Sequence, residues 1–362
     1  MQLESLGWNE NLARTFEPFH DRNLVPARVS EEHKERYLLL SEHGELAAEV
    51  SGKFMHAAVS RADFPVVGDW VAVAARPSEN FAVIHALLPR ASMVSRKAVL
   101  GGTKTDEQAL AANIDTLFLV SGLDGDFNIR RIERYLTVAW DSGALPVIVL
   151  NKADICEDLD DRISEVESVA IGTAILPISA EAKDGVDQLR PFLKPGTTAA
   201  FLGSSGVGKS TIINGLLGEK RLRTQSVSDF KSKGHHTTTF RQMIQLPAGA
   251  VVIDTPGMRE LGIWTNAEGL ERTFEDIEQL ASQCRFSDCQ HNAEPGCAIR
   301  AALENGALEA ERYERYVKLR KEMAHLERRI DVARQRRESR EWDRKIRTYH
   351  KTIKELKKKR LL

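Results

Sequence analysis

Apolar and polar positions alternate differently along the chain, and the changes of period mark its parts. Trp8, Leu12, Phe16 and Phe19 recur at near-helical spacing, which predicts a short helix packed on whatever follows. Short runs of strand type come next, at residues 24–29, 37–41, 45–50, 66–75 and 81–88. Five strands within about 65 residues suit a small closed barrel. Residues 91–113, with Gly101 and Gly102, read as a linker. Beyond it, strand-like runs at 115–121, 145–150, 174–178, 198–202 and 251–253 are interleaved with helical patterns at 130–140 and 211–217, the order of an α/β sheet. From residue 311 onward there is neither proline nor glycine. Tyr316, Leu319, Met323, Leu326, Ile330 and Ala333 step by threes and fours, and Trp342, Ile346, Tyr349, Ile353 and Leu356 repeat the pattern after a phase break. One long helix or a helical hairpin is predicted, its apolar stripe a packing seam.

Composition adds scale and charge. A length of 362 residues suggests two or three domains, and 42% hydrophobic content is ample for folded cores. No apolar run reaches the length of a membrane span, and the first thirty residues lack a basic start followed by an apolar stretch. The expectation is a cytoplasmic protein with no membrane partner. The net charge of −1 conceals a division: residues 311–362 hold 20 Lys and Arg against 9 Asp and Glu, a net +11, which leaves −12 for the rest. Such asymmetry points to an anionic partner for the tail, which ends in Lys357, Lys358, Lys359 and Arg360, or simply to a solvated helix.

Chemistry enters at residues 201–211, F-L-G-S-S-G-V-G-K-S-T, between a strand and a helix. Gly203, Ser204, Ser205, Gly206, Val207 and Gly208 form a turn whose amides can surround a polyphosphate. Lys209 supplies a cation for the outer phosphates, Ser210 a hydroxyl for magnesium, and Thr211 continues into the helix. Asn151, Lys152, Ala153 and Asp154 follow a strand directly and resemble the guanine-specificity motif of GTPases, in which the aspartate pairs with the base, the asparagine holds base and loop, and the lysine stem covers the ring. A carboxylate so placed is left unpaired by adenine. Ser179 and Ala180 look like the partner loop that steadies the base. Asp254, Thr255, Pro256 and Gly257 resemble the switch that watches the γ-phosphate, Asp254 acting on magnesium and the Gly257 N–H on phosphate. Each short motif alone is weak; their joint spacing is not.

The guanine motif precedes the phosphate loop, the reverse of the usual GTPase order, so the domain is circularly permuted. Over residues 20–310 this order resembles the bacterial small-subunit ribosome biogenesis GTPase family, RsgA or YjeQ. The resemblance implies an OB-fold barrel at the N-terminus, where Lys53, Phe54, Arg61, Phe64 and Trp70 are candidate nucleic-acid contacts or, for the aromatics, core. It implies that one of Thr237, Thr238 and Thr239, with Thr238 preferred, closes over magnesium from a polar, mobile loop at 227–239. A histidine of that loop, His236, is the candidate for orienting water, because Met258 stands where Ras-like GTPases carry the glutamine. The family usually has arginine before this histidine, whereas this chain has His235, so the choice between the two stays open.

Cys284-x4-Cys289-x-His291-x5-Cys297 places four soft or borderline ligands within fourteen residues, the spacing of a closed structural zinc site, one ion per chain. Cys156 has no ligand-like neighbour and reads as structural. The expected fold is therefore α/β, a circularly permuted P-loop GTPase domain (93–265) with an N-terminal extension (1–22), an OB-fold barrel (23–92), a zinc-binding helical module (266–310) and a basic helical tail (311–362). The expected function is GTP hydrolysis to GDP and phosphate, with Mg2+, by a monomer that binds the small (30S) ribosomal subunit and its 16S rRNA during late maturation. Lys209 and His236 carry the catalysis in this reading. Gly257 lies only 27 positions before Cys284, a short path from switch to zinc module. The alternatives are a GTP-regulated RNA-binding or translation factor acting on another RNA, a P-loop metabolic enzyme or kinase, and an RNA-binding module with a degenerate nucleotide site.

Overall fold

Helix α1 (Glu10–His20) starts at Asn9, whose side chain accepts from the Asn11 and Leu12 amides at 3.0 Å. In the computed structural model, which describes residues 2–33, 36–58, 60–100, 104–219, 222, 241–254, 267–292 and 294–324, α1 lays Phe16 into a cluster with Leu6, Leu24, Trp70 and Leu88. Trp8 meets Phe16 and Trp70 edge-on, with centroids 5.9 and 4.8 Å apart. The aromatic stripe thus packs on the barrel as its spacing predicts. Trp70 is 1% exposed and belongs to that core, which removes it from the candidate nucleic-acid contacts.

The barrel is built from β1 (Val25–Glu32), β2 (Tyr37–Ser41), β3 (Gly44–Val50), β4 (Trp70–Arg76) and β5 (Phe81–Leu87), with helix α2 (Gly52–Ala57) between β3 and β4. Pairing runs β1–β2–β3–β5–β4 and back to β1, so the ring closes in the OB-fold manner. Alternate residues such as Val29, Leu39, Leu46, Val71 and Ile84 fill the interior. The expected linker is instead an antiparallel hairpin, β6 (Met93–Leu100) with β7 (Lys104–Ala112). Gly101 and Gly102, read as part of that linker, stand in sequence between the paired ends Leu100 and Lys104 and lie outside the described residues.

The α/β sheet follows: β8 (Thr116–Gly122), α3 (Ile129–Ser142), β9 (Leu145–Asn151), α4 (Leu159–Glu167), β10 (Ala174–Ile178), β11 (Thr198–Leu202), α5 (Lys209–Leu217), β12 (Gln242–Gln245) and β13 (Val251–Asp254). Its order is β10-β9-β8-β11-β13-β12, parallel except for β12. Every residue of β8 and β11 is buried, because helices cover both faces of a parallel sheet. Leu117, Leu119 and Leu202 face the α3 side; Phe118, Phe201 and Val120 face the α5 side, with the two phenylalanine rings stacked at 4.9 Å. The strand that ends in the phosphate loop, β11, lies in the middle of this sheet, beside the strand that opens it, β8.

Barrel and α/β sheet are joined by hydrogen-bonded backbone, Glu31 of β1 opposite Gln242 of β12, and by an Arg241–Glu32 ion pair at 3.1 Å. Arg28 pins the same junction from inside: it donates to the carbonyls of Leu6, Gly68 (3.0 Å) and Asn113 (3.1 Å), and burial lowers its pKa to about 10. Truncating it removes three hydrogen bonds to backbone carbonyls, of which the Gly68 oxygen keeps the Asn113 side-chain amide at 3.1 Å, a loss of roughly 2–3 kcal/mol.

After the sheet, α6 (Ala267–Thr273), α7 (Glu275–Ser282), α8 (Ala298–Glu304) and a last helix, α9, at residues 310–324 pack against α3 and one another. Tyr316, Leu319 and Met323 of α9 are buried in the α3-side core, the seam their spacing predicts. Arg312 holds Asp276 with two bonds of 2.7 Å and Glu133 of α3 at 3.0 Å, while Arg315 lies 2.8 Å from Glu133. Burial raises the Glu133 pKa even so, with the two arginines pulling it down. The tail residues from 325 onward, with their lysine cluster, lie outside the described residues. Among the described residues no helix is long and apolar enough to cross a membrane.

Candidate functional site

The site lies at the carboxyl ends of β8, β9, β11 and β13, where parallel sheets bind ligands. Leaving β11, the chain presses Gly203 against β8 so closely that a Cβ there would stand 2.4 Å from the Val120 carbonyl oxygen. Gly208 has φ +99°, and a Cβ would meet Asn151 Nδ2 at 2.1 Å. No larger residue fits at either place. Helix α5 begins at Lys209 without a side-chain cap, so Ser210 and Thr211 sit in a first turn whose amides are available to an anion. Lys209 Nζ donates to the carbonyls of Gly203 (2.7 Å) and Ser204 (2.6 Å), drawing the loop around its own ammonium. Asp254 ends β13 on the neighbouring strand; burial raises its pKa, opposed by the charge of Lys209.

Asn151, 3% exposed, ties three of the sequence-predicted segments together. Its Nδ2 donates to the Val207 carbonyl at 2.7 Å and its Oδ1 accepts from the Ala180 amide at 2.9 Å. Ser179 is buried beside it, its hydroxyl accepting from the Ala182 amide at 3.2 Å. Lys152 takes a left-handed backbone, φ 69°, and its Nζ reaches Asp124 Oδ2 at 2.5 Å. Ala153 and Asp154 follow in a 3-10 turn, Asp154 open to solvent. The phosphate loop, the guanine motif and its partner loop are therefore one surface, with Asp254 at its edge. His235, His236, Thr237, Thr238, Thr239, Gly257 and Met258 lie outside the described residues.

Three polar residues at this surface have no counterpart in the motif reading: Asp124, Asp126 and Arg131. Asp126 and Arg131 both bond the Ser204 hydroxyl. An Asp-Gly-Asp between a strand and a helix reads as a turn, and no spacing rule separates it from one.

Among the C-terminal helices, Cys284, Cys289, His291 and Cys297 bring their ligand atoms within 4.8 Å of one another. His291 Nδ1 is 3.5 Å from the sulfurs of both Cys284 and Cys297, which are themselves 4.0 Å apart. These separations are the edges of a tetrahedron around an ion with bonds of about 2.0–2.3 Å, and they are too long for a disulfide. Three sulfurs and a nitrogen are the donor set of structural zinc, and with all four positions filled by protein such an ion would bind no reactant.

Residues 87–264 match the model of the RsgA GTPase family. The small ribosomal subunit biogenesis GTPase RsgA of Opitutus terrae is 48% identical over 94% of this chain and 95% of its own length. RsgA 2 of Lactiplantibacillus plantarum is 50% identical over 83% of this chain and 84% of its own. Among solved structures, YjeQ from Thermotoga maritima superposes with a TM-score of 0.60 at 28% identity, covering 83% of this chain and 99% of that one. YloQ, a circularly permuted GTPase, shares the fold with a TM-score of 0.59 over 84% of this chain and 97% of that one. With its guanine motif ahead of its phosphate loop and an OB barrel ahead of both, the chain belongs to the RsgA family of circularly permuted GTPases.

Proposed function

We propose that this GTPase acts on the small ribosomal subunit, contacting its 16S rRNA in the cytoplasm as a monomer and assisting late maturation. The observation that carries the reading is the single surface on which Asn151 joins the guanine motif to the phosphate loop, in a chain whose relatives are named for small-subunit biogenesis. Gly203, Ser204, Ser205, Gly206, Val207, Gly208, Lys209, Ser210 and Thr211 hold the phosphates. Asn151, Lys152, Ala153, Asp154, Ser179 and Ala180 hold the base. Gly257 meets the γ-phosphate, and Mg2+ is held by Ser210, Asp254 and Thr238. Bound magnesium would supply neutralisation of charge on the phosphate oxygens, and a raised Asp254 pKa is the environment that a cation beside it would relieve. The Cys3His cluster holds one zinc ion, which gives a core to a module too small to build its own.

Measured GTP turnover with and without purified small subunits tests the proposal. Stimulation many times above the basal rate is expected. Equal rates, with GTP bound, would point instead to a factor acting on another RNA, and phosphate transfer to a small acceptor would point to a P-loop kinase.

A further inference from the structure

The connection between β8 and α3 at residues 122–128 touches both halves of the nucleotide surface, and motif reading assigns it nothing. On the phosphate side, Asp126 Oδ2 accepts from the Ser204 hydroxyl at 2.5 Å and from Arg131 Nη1 at 2.6 Å. The same Arg131 nitrogen donates to the Ser204 oxygen at 2.8 Å, which closes a triangle of charge-assisted bonds on the first turn of the phosphate loop. Arg131 holds the Asp126 carboxyl below the usual range. On the base side, Asp124 takes the Lys152 ammonium, and the Leu123 amide donates to the Asn151 carbonyl at 2.8 Å.

The connection is itself set rigidly. Asp124 accepts from the Asp126 amide through its side chain at 3.2 Å and from the Phe127 amide through its carbonyl at 2.9 Å. A Cβ at Gly122 would come 2.8 Å from Asp124 Oδ1, so the glycine makes room for that carboxylate. Asn128 then caps α3 by accepting from the Arg131 amide at 3.2 Å, which fixes where the Arg131 side chain starts.

We propose that residues 122–128 and Arg131 are a brace for the bound nucleotide, in which Asp126 and Arg131 are positioning residues for the phosphate loop and Asp124 is the positioning residue for Lys152. The proposal rests on the guanine-nucleotide reading of this surface given above. Amides around a polyphosphate bind well only when held in place beforehand, and Ser204 is the one loop side chain tied to a neighbouring element by two charged groups among the described residues. Neither aspartate needs to touch the ligand.

The two ends of the brace separate in a binding experiment with full-length protein, GDP and GMP, because GMP lacks the β-phosphate that the loop surrounds. Asp126→Ala is expected to weaken GDP by about tenfold or more, the size of a lost charge-assisted hydrogen bond, while GMP changes by less than about twofold. Asp124→Ala is expected to weaken both alike, since both carry the ring that Lys152 covers. Arg131→Ala should add little to Asp126→Ala, as the two act through one hydroxyl, and Arg131→Lys should recover most of the Arg131→Ala loss. Retained GMP binding shows that the Asp126 and Arg131 variants are folded, and an unchanged unfolding temperature shows it for Asp124→Ala; if Asp126→Ala does not fold, the Arg131 pair carries the same comparison. Equal losses on GDP and GMP in the Asp126 or Arg131 variants, additive losses in the double variant, or no loss would overturn the proposal. Wild-type protein that binds neither nucleotide would overturn the underlying reading as well.

Discussion

Asn151 shows how much one buried side chain settles at the residue scale. Its amide donates to a carbonyl of the phosphate loop and accepts from an N–H of the partner loop, so the site's halves cannot drift apart without unpairing a buried polar group. Asp154 is exposed in the next turn, where the proposed function gives it to the base. Asp154→Asn should therefore weaken GTP and favour xanthosine triphosphate, which presents an oxygen where guanine has its amino group; competition binding of the two triphosphates checks it, and unchanged GTP affinity would count against the assignment. Catalysis at this scale turns on a substitution visible in the sequence: Met258 can neither donate to water nor accept from it usefully. Basal turnover is expected below about one per minute, and His236→Ala should abolish subunit-stimulated turnover while GTP affinity stays nearly constant, the outcome expected of an imidazole that acts on the transition state. Full stimulation in that variant would turn attention to His235 or to a group of the ribosomal RNA. The phosphate-loop glycines were legible because backbone geometry demands them at fixed spacing. Asp126 and Arg131 were not, because their meeting with Ser204 depends on β8 lying beside β11, 78 and 73 residues apart in sequence from that serine.

At the scale of elements, periodicity read the strands and the aromatic helix well, since both bury one definite set of side chains. It failed at β6 and β7, where a Gly-Gly pair stands for a hairpin turn as readily as for a hinge. Trp70 shows the same limit from the other side: an aromatic on a barrel strand faces in or out according to which neighbour covers it, and here α1 does. The Cys3His cluster was legible because ligand spacing is local. Helices α7 and α8 flank a segment that, among the described residues, is turns and bends without helix or strand, so an ion should be what fixes it. Elemental analysis should find about one zinc per chain, and Cys289→Ser should release it and lower the unfolding temperature. Folded, active protein without metal would remove the site.

At the scale of the whole molecule, α3 joins the α/β sheet to the C-terminal helices: it meets the phosphate loop through Arg131 and those helices through Glu133. Two residues apart on a helix, these side chains leave on opposite sides, so one rigid element touches both regions. The C-terminal contact is ionic and dry: Glu133 is 2% exposed and Arg312 5%. A buried pair of this kind adds little net stability, yet removing one partner strands the other in a medium that cannot solvate it. Glu133→Gln and Arg312→Met should each lower the unfolding free energy by about 3 kcal/mol in denaturant titrations. Combined, they should cost clearly less than the sum, because the second change removes the charge that the first left stranded. Arg315 also faces Glu133 and Asp276 still holds Arg312, so the relief is partial. Strict additivity would mean that the helices are held to α3 by the apolar seam of Tyr316, Leu319 and Met323, and that the ion pairs serve only to choose its register.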